Sequence, residues 1–275
     1  MRLTLVSKSS HSIRIIKNKY ENYDSEILNW FDKHTVFFGF GFFRSGTTFL
    51  ADFLNKNLPD AIVQHEPNLS DYLYYTKTFQ NYEETISYIK EYRLKEIYNR
   101  MCNFPIKVYG EINPFLRRHC AYLKQFCPQA KQFHLVRDGR DVVRSLMTRN
   151  FFGPNHFWTS LIKPPPGDEI LEYWKEFSRF EKICWLWKSD NEYLHANVPH
   201  LIHFEKLVSD YDYFKTKLMD FLEIGNIDFE TWGKDIGNVM NQSPDHSFPL
   251  YKDWEDNEKK IFERICGEEM SKLGY

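Results

Sequence analysis

Residues 35–57 have the sequence TVFFGFGFFRSGTTFLADFLNKN. The first part is a short apolar run that ends in glycines at positions 39 and 41, a pattern typical of a buried strand. In the last part, Phe49, Leu50 and Phe53 recur at the spacing of one helix face. The segment therefore predicts a strand, a glycine-containing loop and a helix, which together form the repeating unit of an α/β domain.

The loop between this strand and helix has the spacing of a phosphate-binding loop. Four residues separate Gly41 from Gly46, and two hydroxyl residues, Thr47 and Thr48, follow. Backbone N–H groups in such a turn, together with the positive end of the helix dipole, favour a bound anion. A nucleoside-triphosphate site has a lysine at the place of Thr47, and that lysine reaches the terminal phosphates. The loop therefore predicts a phosphate ligand with less charge at this point.

Arg44 lies inside the loop, and its permanently charged guanidinium group could bind two oxygens of an anion. Other interpretations stay open. Ser45, Thr47 or Thr48 could simply cap the helix, with Arg44 as a surface residue of a tight turn. A dinucleotide-binding loop is disfavoured, because Arg44 occupies the place of the third glycine.

Composition limits the classes of function. The 275 residues are 42% hydrophobic, which suffices for one large core, and we expect a single domain over 1–275 with residues 1–34 unassigned. With 36 basic and 38 acidic residues the net charge is -2, which predicts no nucleic-acid partner. Apolar runs stay far below the ~20 residues of a membrane span, so we expect no membrane span and a cytoplasmic location. The five cysteines and ten histidines lack metal-site spacing, and no metal is predicted.

Strand and helix patterns alternate along the rest of the chain. Further strands are expected in AIV (61–63), IKVYGEI (106–112), QFHLV (132–136) and HLIHF (200–204). Helices are expected in 82–101, 141–149, 213–224 and 257–274, and one long helix or a helix pair in 168–197. The alternation predicts an α/β fold with a mostly parallel central sheet flanked by helices, whose ligands bind at the carboxyl ends of the strands. Within residues 151–170 the sequence KPPPGDE breaks the pattern, and we expect this stretch to be an acceptor-site loop or lid.

A second motif, FHLVRDGRDVVRSL, covers residues 133–146. Its strand pattern delivers Arg137 to the carboxyl edge of the sheet, and Ser145 follows on the next predicted helix. A fixed cation and a hydroxyl donor suit a second, separate phosphate. The alternative is that Arg137, Asp138, Arg140 and Asp141 merely form a solvated ion-pair cluster.

The two motifs, in this order, resemble those of the sulfotransferase family, whose donor is 3′-phosphoadenosine 5′-phosphosulfate (PAPS). The resemblance covers most of the chain from Phe37 onward and implies a P-loop-like sulfotransferase architecture. It implies donor-binding roles for the residues of RSGTT, at the 5′-phosphosulfate, and for two residues of the second motif, at the 3′-phosphate: Arg44, Ser45, Gly46, Thr47, Thr48, Arg137 and Ser145. The product would be 3′-phosphoadenosine 5′-phosphate (PAP).

The later part of the donor site is less completely matched. The segment FEKL resembles an aromatic-Glu-x-Leu segment of the family, which implies that Phe204 lies against the adenine where many members have tyrosine. The chain has no counterpart of the glycine-rich RKG element of cytosolic animal sulfotransferases. Ser243, His246 and Lys252 are therefore the remaining candidates for late donor contacts.

The catalytic base is expected in VQHEPN, residues 63–68, which should emerge at the same edge of the sheet. Sulfuryl transfer to a hydroxyl needs a base within about 3 Å of that hydroxyl. The HEP stretch resembles the segment in which several carbohydrate- and protein-modifying sulfotransferases carry a catalytic glutamate, so Glu66 is favoured. His65 is the alternative base, because imidazole titrates in the required range. A capping or surface role for Glu66 also stays open.

The resemblance implies an enzyme that moves a sulfuryl group from PAPS in line to a hydroxyl or amine, without a metal. A small molecule, a carbohydrate or a glycolipid would be the acceptor. The aromatic run DYLYYTKTFQNY, residues 71–82, could line the acceptor site or could pack in the core. Two other functions stay open, a degenerate P-loop nucleotide kinase or NTPase and a catalytically silent nucleotide-binding module. The sequence predicts no oligomeric state.

Overall fold

The computed structural model describes residues 25–80, 82–236 and 247–275. Within them, five parallel strands form one sheet: β1 Thr35–Gly41, β2 Ala61–His65, β3 Val108–Ile112, β4 Lys131–Val136 and β5 Leu201–His203. The strand order is β2-β3-β1-β4-β5. This confirms the predicted α/β fold and places the first motif, after β1, beside the second motif, after β4.

Helices surround the sheet. The α-helices are α1 Ser25–Lys33, α2 Thr47–Asn57, α3 Ser70–Lys77, α4 Tyr82–Ser87, α5 Leu94–Met101, α6 Cys120–Phe126, α7 Gly139–Met147, α8 Phe157–Ser160, α9 Ile170–Tyr173, α10 Arg179–Asn197, α11 Phe204–Leu207, α12 Tyr211–Phe214, α13 Asp220–Leu222, α14 Phe229–Ile236 and α15 Asp256–Lys272. Tyr88–Arg93 and Lys215–Met219 are π-helical, and Pro114–His119 and Tyr251–Asp253 are 3-10 turns. The predicted helices at 82–101, 141–149 and 257–274 are therefore present, with shifted ends.

The apolar run of β1 is buried on both faces of the sheet. Phe37 packs with α2 and with the residues after β5, whereas Phe38 and Phe40 pack on the opposite face with α1 and α5. Successive side chains of a strand point to opposite faces, so a strand covered on both sides needs apolar residues at every position. The sheet therefore forms the middle layer of the domain.

The N-terminal stretch that the sequence leaves unassigned ends in a packed helix. α1 buries Ile27, Trp30 and Phe31 beneath β1 and β3. The spacing of these three residues, at i, i+3 and i+4, is that of one helix face. The described part of the chain begins at the first residue of this helix, Ser25.

Residues 168–197, predicted as one long helix or a helix pair, form a helix pair. α9 covers one turn, and α10 begins after Ser178, whose hydroxyl accepts the backbone N–H of Glu181 while the Glu181 side chain accepts the N–H of Ser178. This reciprocal capping box defines the start of α10. α10 packs with α7 and α15 in a third apolar cluster, so it supports the helix that carries Ser145.

Candidate active site

The glycine-containing loop leads directly from β1 into the N-terminus of α2. The N-cap residue is Gly46, with φ 91°, and it has no side chain that could cap the helix. None of Ser45, Thr47 and Thr48 occupies the N-cap position, so the structure does not support their interpretation as mere caps. Ser45 and Thr47 are buried. The first N–H groups of α2 have no partner within the helix, and such groups bind anions.

Gly46 is required because an aromatic ring lies against it. A Cβ atom at this position would come within 2.2 Å of the Phe204 ring. The Phe204 ring also contacts Phe49 edge-on at 6.2 Å and lies 5.5 Å from the Arg137 guanidinium carbon. Phe204 is 6% exposed, so nearly all of its surface packs against the protein. The contact with adenine stays a prediction for its exposed part.

The structure brings the two motifs together. Arg44 Nε donates to Ser145 Oγ at 2.9 Å, and Arg137 Nη1 donates to the backbone carbonyl of Arg44 at 3.1 Å. The contacts follow from the pairing of β1 with β4, because the carboxyl ends of adjacent parallel strands meet at one edge of the sheet. The residues predicted for the 5′- and 3′-phosphates therefore form one site.

Positive charge is concentrated on this side of the sheet edge. Burial lowers the pKa of Arg44, and the neighbouring cations Arg149 and Arg137 lower that pKa further. Mutual repulsion of this kind is relieved when an anion binds among the cations. The alternative interpretation of the second motif as an ion-pair cluster is correct for Arg140, which forms an ion pair with Asp138 at 2.6 Å. It is correct in part for Arg137, which lies 3.6 Å from Asp141.

The predicted base candidates lie beside the same loop. His65 ends β2, and its Nε2 atom lies 3.1 Å from Thr47 Oγ1 and 3.3 Å from Thr48 Oγ1. Glu66 Oε1 lies 3.6 Å from the same nitrogen. Glu66 does not cap α3, whose N-cap residue is Leu69. The capping interpretation of Glu66 is therefore wrong.

The protonation states of these two side chains are shifted in opposite directions. Burial raises the pKa of Glu66 to about 7, an increase that Arg117 opposes and Asp71 reinforces. Burial also lowers the pKa of His65. Near neutral pH, Glu66 therefore changes between its acid and carboxylate forms, whereas the lowered pKa of His65 favours its neutral form.

Comparison with known proteins agrees with this geometry. The model of the sulfotransferase family matches residues 37–228. The chain belongs to the sulfotransferase family. No curated protein sequence matches it.

Among solved structures, this sulfotransferase is similar to STF9 from Mycobacterium avium, with a TM-score of 0.53 and 13% identity over 90% of this chain and 79% of that chain. It is also similar to a sulfotransferase from Alicyclobacillus acidocaldarius, with a TM-score of 0.49 and 16% identity over 86% of this chain and 93% of that chain. Mouse SULT7A1, solved with PAP, has a TM-score of 0.43 and 14% identity over 91% of this chain and 94% of that chain. The first of these shows a shared fold.

A buried charged network lies behind Glu66 in this sulfotransferase. Asp71, Arg93 and Glu111 are fully buried. Arg93 donates to Asp71 at 2.9 Å and to both oxygens of Glu111 at 2.6 Å. The hydroxyls of Tyr88 and Tyr109 and the amide of Asn113 satisfy the same carboxylates. Complete hydrogen bonding of this kind is what allows charges to be buried.

Sequence reasoning missed this network. One signal was available, because Glu111 is a carboxylate within the apolar strand pattern IKVYGEI and so required a buried cation. Its partner Arg93 could not be singled out among the charged residues of helix 82–101, since only the tertiary fold turns it inward.

Two of the candidates for late donor contacts, Ser243 and His246, lie outside the described residues. Lys252 lies in the 3-10 turn Tyr251–Asp253, where its backbone carbonyl accepts from Lys259 Nζ at 2.9 Å.

Across 25–80, 82–236 and 247–275, no helix is long and apolar enough to cross a membrane. Over the same ranges, no group of three or more His, Cys, Asp or Glu side chains could hold a metal ion.

Proposed function

We propose that this sulfotransferase moves a sulfuryl group from PAPS to a hydroxyl or amine of a small-molecule, carbohydrate or glycolipid acceptor, with Glu66 as the base. The observation that carries the proposal is the joining of the two motifs through Arg44, which donates to Ser145 Oγ at 2.9 Å. A nucleotide with a phosphate on its ribose as well as at its 5′ position would engage both motifs. A nucleoside triphosphate would engage the loop alone.

The loop fits a 5′-phosphosulfate better than a triphosphate. Thr47 replaces the lysine that a terminal phosphate requires, while Arg44 and the uncapped N-terminus of α2 offer donors for a smaller anion. When bound, PAPS supplies a sulfuryl group whose leaving group is the 5′-phosphate. Arg44 and the first N–H groups of α2 would stabilise the charge that develops there, and such preorganised donors are usually the largest catalytic contribution.

Glu66 is proposed to accept the proton of the acceptor. At a pKa of about 7 it is half ionised near neutral pH, and it is a much better proton acceptor than a carboxylate with the ordinary pKa of 4.5. His65 stays the alternative base. Its Nε2 atom faces the hydroxyls of Thr47 and Thr48, which favours a role in linking the loop to Glu66.

The acceptor is proposed to enter beside residues 151–170. Phe151 packs against Phe43 with ring centres 5.3 Å apart, and Phe43 immediately precedes Arg44 in the loop. Phe43 also contacts Phe115 at 5.4 Å. Aromatic surfaces next to the reacting groups suit apolar groups and the faces of sugar rings. In the run 71–82, Tyr75 is fully buried, which supports the core interpretation for that residue.

Calorimetry with nucleotides tests the donor assignment. We expect PAP to bind more tightly than AMP or ADP, with the same affinity in magnesium and in EDTA. Tighter binding of ATP in magnesium would contradict the proposal and favour the kinase or NTPase alternative.

Transfer of radiolabelled sulfate from PAPS to a panel of sugars, glycolipids, phenols and peptides tests catalysis. Binding of PAP without transfer to any of them would favour the silent nucleotide-binding module.

A further inference from the structure

Glu205 connects three separate segments around the second motif. It lies in α11, directly after β5, and its Oε1 atom accepts the backbone N–H of Asp138 at 2.9 Å. Its Oε2 atom accepts the hydroxyl of Tyr275 at 2.8 Å. Both carboxylate oxygens therefore accept hydrogen bonds from the protein itself.

The Asp138 peptide controls the geometry on both of its sides. Arg137 precedes it, and α7, which carries Ser145, follows it. Asp138 is the N-cap residue of α7, and its side chain accepts the N–H of Arg140 at 2.9 Å and pairs with the Arg140 guanidinium at 2.6 Å. A group that fixes the Asp138 N–H therefore fixes the relative placement of Arg137 and Ser145.

Tyr275 is itself held in place. Its backbone N–H donates to the carbonyl of Met270 at 3.0 Å, and its ring lies 5.4 Å from that of His203. His203 Nε2 donates to the carbonyl of Leu273 at 2.7 Å. Burial, together with Glu205, raises the pKa of Tyr275 well above its usual range, so the hydroxyl stays protonated as a donor.

We propose that Glu205 and Tyr275 are positioning residues for the 3′-phosphate half of the donor site. Tyr275 orients the Glu205 carboxylate, and the carboxylate holds the turn between Arg137 and α7. The inference rests on the proposed function, which assigns the 3′-phosphate to Arg137 and Ser145. A carboxylate in direct contact with a phosphate would repel it, so Glu205 acts through the geometry of the turn.

The ratio of the AMP and PAP dissociation constants tests this role, because the two nucleotides differ by the 3′-phosphate alone. Glu205→Ala should weaken PAP binding about tenfold and Tyr275→Phe about threefold, the range for one lost hydrogen bond, while AMP binding stays unchanged. Glu205→Gln keeps an oxygen that accepts the Asp138 N–H, and it should stay within about twofold of the wild type.

Tyr211→Phe is the matched control. Its hydroxyl donates to the backbone carbonyl of Ile227 at 2.9 Å, outside the proposed chain of contacts. We expect Tyr211→Phe to leave the ratio of the two dissociation constants unchanged. Calorimetry on the full chain measures the two dissociation constants, and thermal unfolding shows whether each variant is folded. If Glu205→Ala does not fold, Tyr275→Phe alone tests the role.

The outcomes separate this inference from the proposed function. A wild type that binds PAP no more tightly than AMP would refute the donor assignment itself. A wild type that prefers PAP, with Glu205→Ala and Tyr275→Phe weakening both nucleotides equally or neither, would refute the positioning role alone. Glu205→Gln should keep the hydrogen bond to the Asp138 N–H. If it lost the preference for PAP over AMP as fully as Glu205→Ala does, the positioning role would also be refuted, because that hydrogen bond would then not determine PAP binding.

Discussion

The side chains proposed for donor binding and for proton acceptance lie on two sides of the carboxyl edge of the sheet, and they have opposite charge. After β1 and β4, Arg44 and Arg137 lie close enough for one cation to lower the pKa of the other. After β2 and within β3, Glu66 and Glu111 lie in surroundings where burial and Asp71 raise the pKa of Glu66. A cation near Glu66 weakens it as a base, as Arg117 does when it opposes the increase of the Glu66 pKa, and carboxylates beside the loop would repel an anionic donor. The sheet would thus keep the proposed anion binding and the proposed proton acceptance on different strands.

The largest expected effect comes from removing the carboxylate on the acidic side. Glu66→Gln should lower the rate of sulfuryl transfer by about 10³-fold, because general-base catalysis contributes on this scale, while PAP affinity stays unchanged. Sulfate-transfer rates and calorimetry on the same variant give both quantities. His65→Asn is the companion variant. Near-normal transfer by Glu66→Gln, with transfer abolished in His65→Asn, would assign the base to His65.

Arg93→Met should destabilise the fold by disrupting the buried network of Arg93 with Asp71 and Glu111. It leaves Asp71 and Glu111 buried without their shared cation, and the free energy of unfolding should fall by about 3–5 kcal/mol. Arg100→Met is the matched control, since Arg100 is 35% exposed and should contribute less than about 1 kcal/mol. Urea denaturation measures both. Equal losses would show that the network contributes no more than a surface ion pair.

Arg44→Ala should break the cationic side. Loss of a charge-assisted hydrogen bond to an anion should weaken PAP binding by about 10- to 100-fold, with little change in the stability of the fold. Arg149→Ala removes an exposed cation of the same side and should change the affinity far less. Calorimetry decides the matter. An unchanged PAP affinity in Arg44→Ala would exclude this residue from the donor site.

The smallest effect expected is the pH dependence of the wild type. Glu66 must be ionised to accept a proton, and its pKa is raised to about 7. The kcat/KM should therefore be constant above that pH and fall about tenfold for each pH unit below it. A pH profile with saturating donor measures this fall. A midpoint near the ordinary carboxyl value of 4.5 would show that burial does not control this group.

Much of the cationic side could be predicted from the sequence. The strand and loop around Arg44 are local, and parallel strands bring their carboxyl ends to one edge, so the placement of both motifs at that edge followed from pattern and topology. The direct contact between Arg44 and Ser145 was not predicted, because the second motif was expected to bind a separate phosphate. The positions of Glu66 and His65 beside the loop followed for the same reason. The roles of all these residues in donor binding and catalysis stay predictions.

The rest depended on tertiary contacts that leave no local pattern. The 3-10 turn Pro114–His119 and α6 were not predicted, because their residues show no clear helical spacing. Arg117, in that turn, is fixed by Asp190 of α10 at 2.6 Å, a partner far along the chain. The contacts of the Thr47 and Thr48 hydroxyls with His65 also join two separate elements, α2 and β2.

The left-handed backbone of the site has a consequence for how such a protein can evolve. Among the described residues, four that are not glycine have positive φ, and they include Arg44 at 68° and Glu66 at 46°. Each such conformation costs about 1–2 kcal/mol that glycine would not incur. Substitution by glycine at these two positions would relieve the strain, but it would also remove the two side chains that are proposed to bind the donor and to accept the proton. Selection for that proposed activity would therefore oppose selection for stability at these two residues.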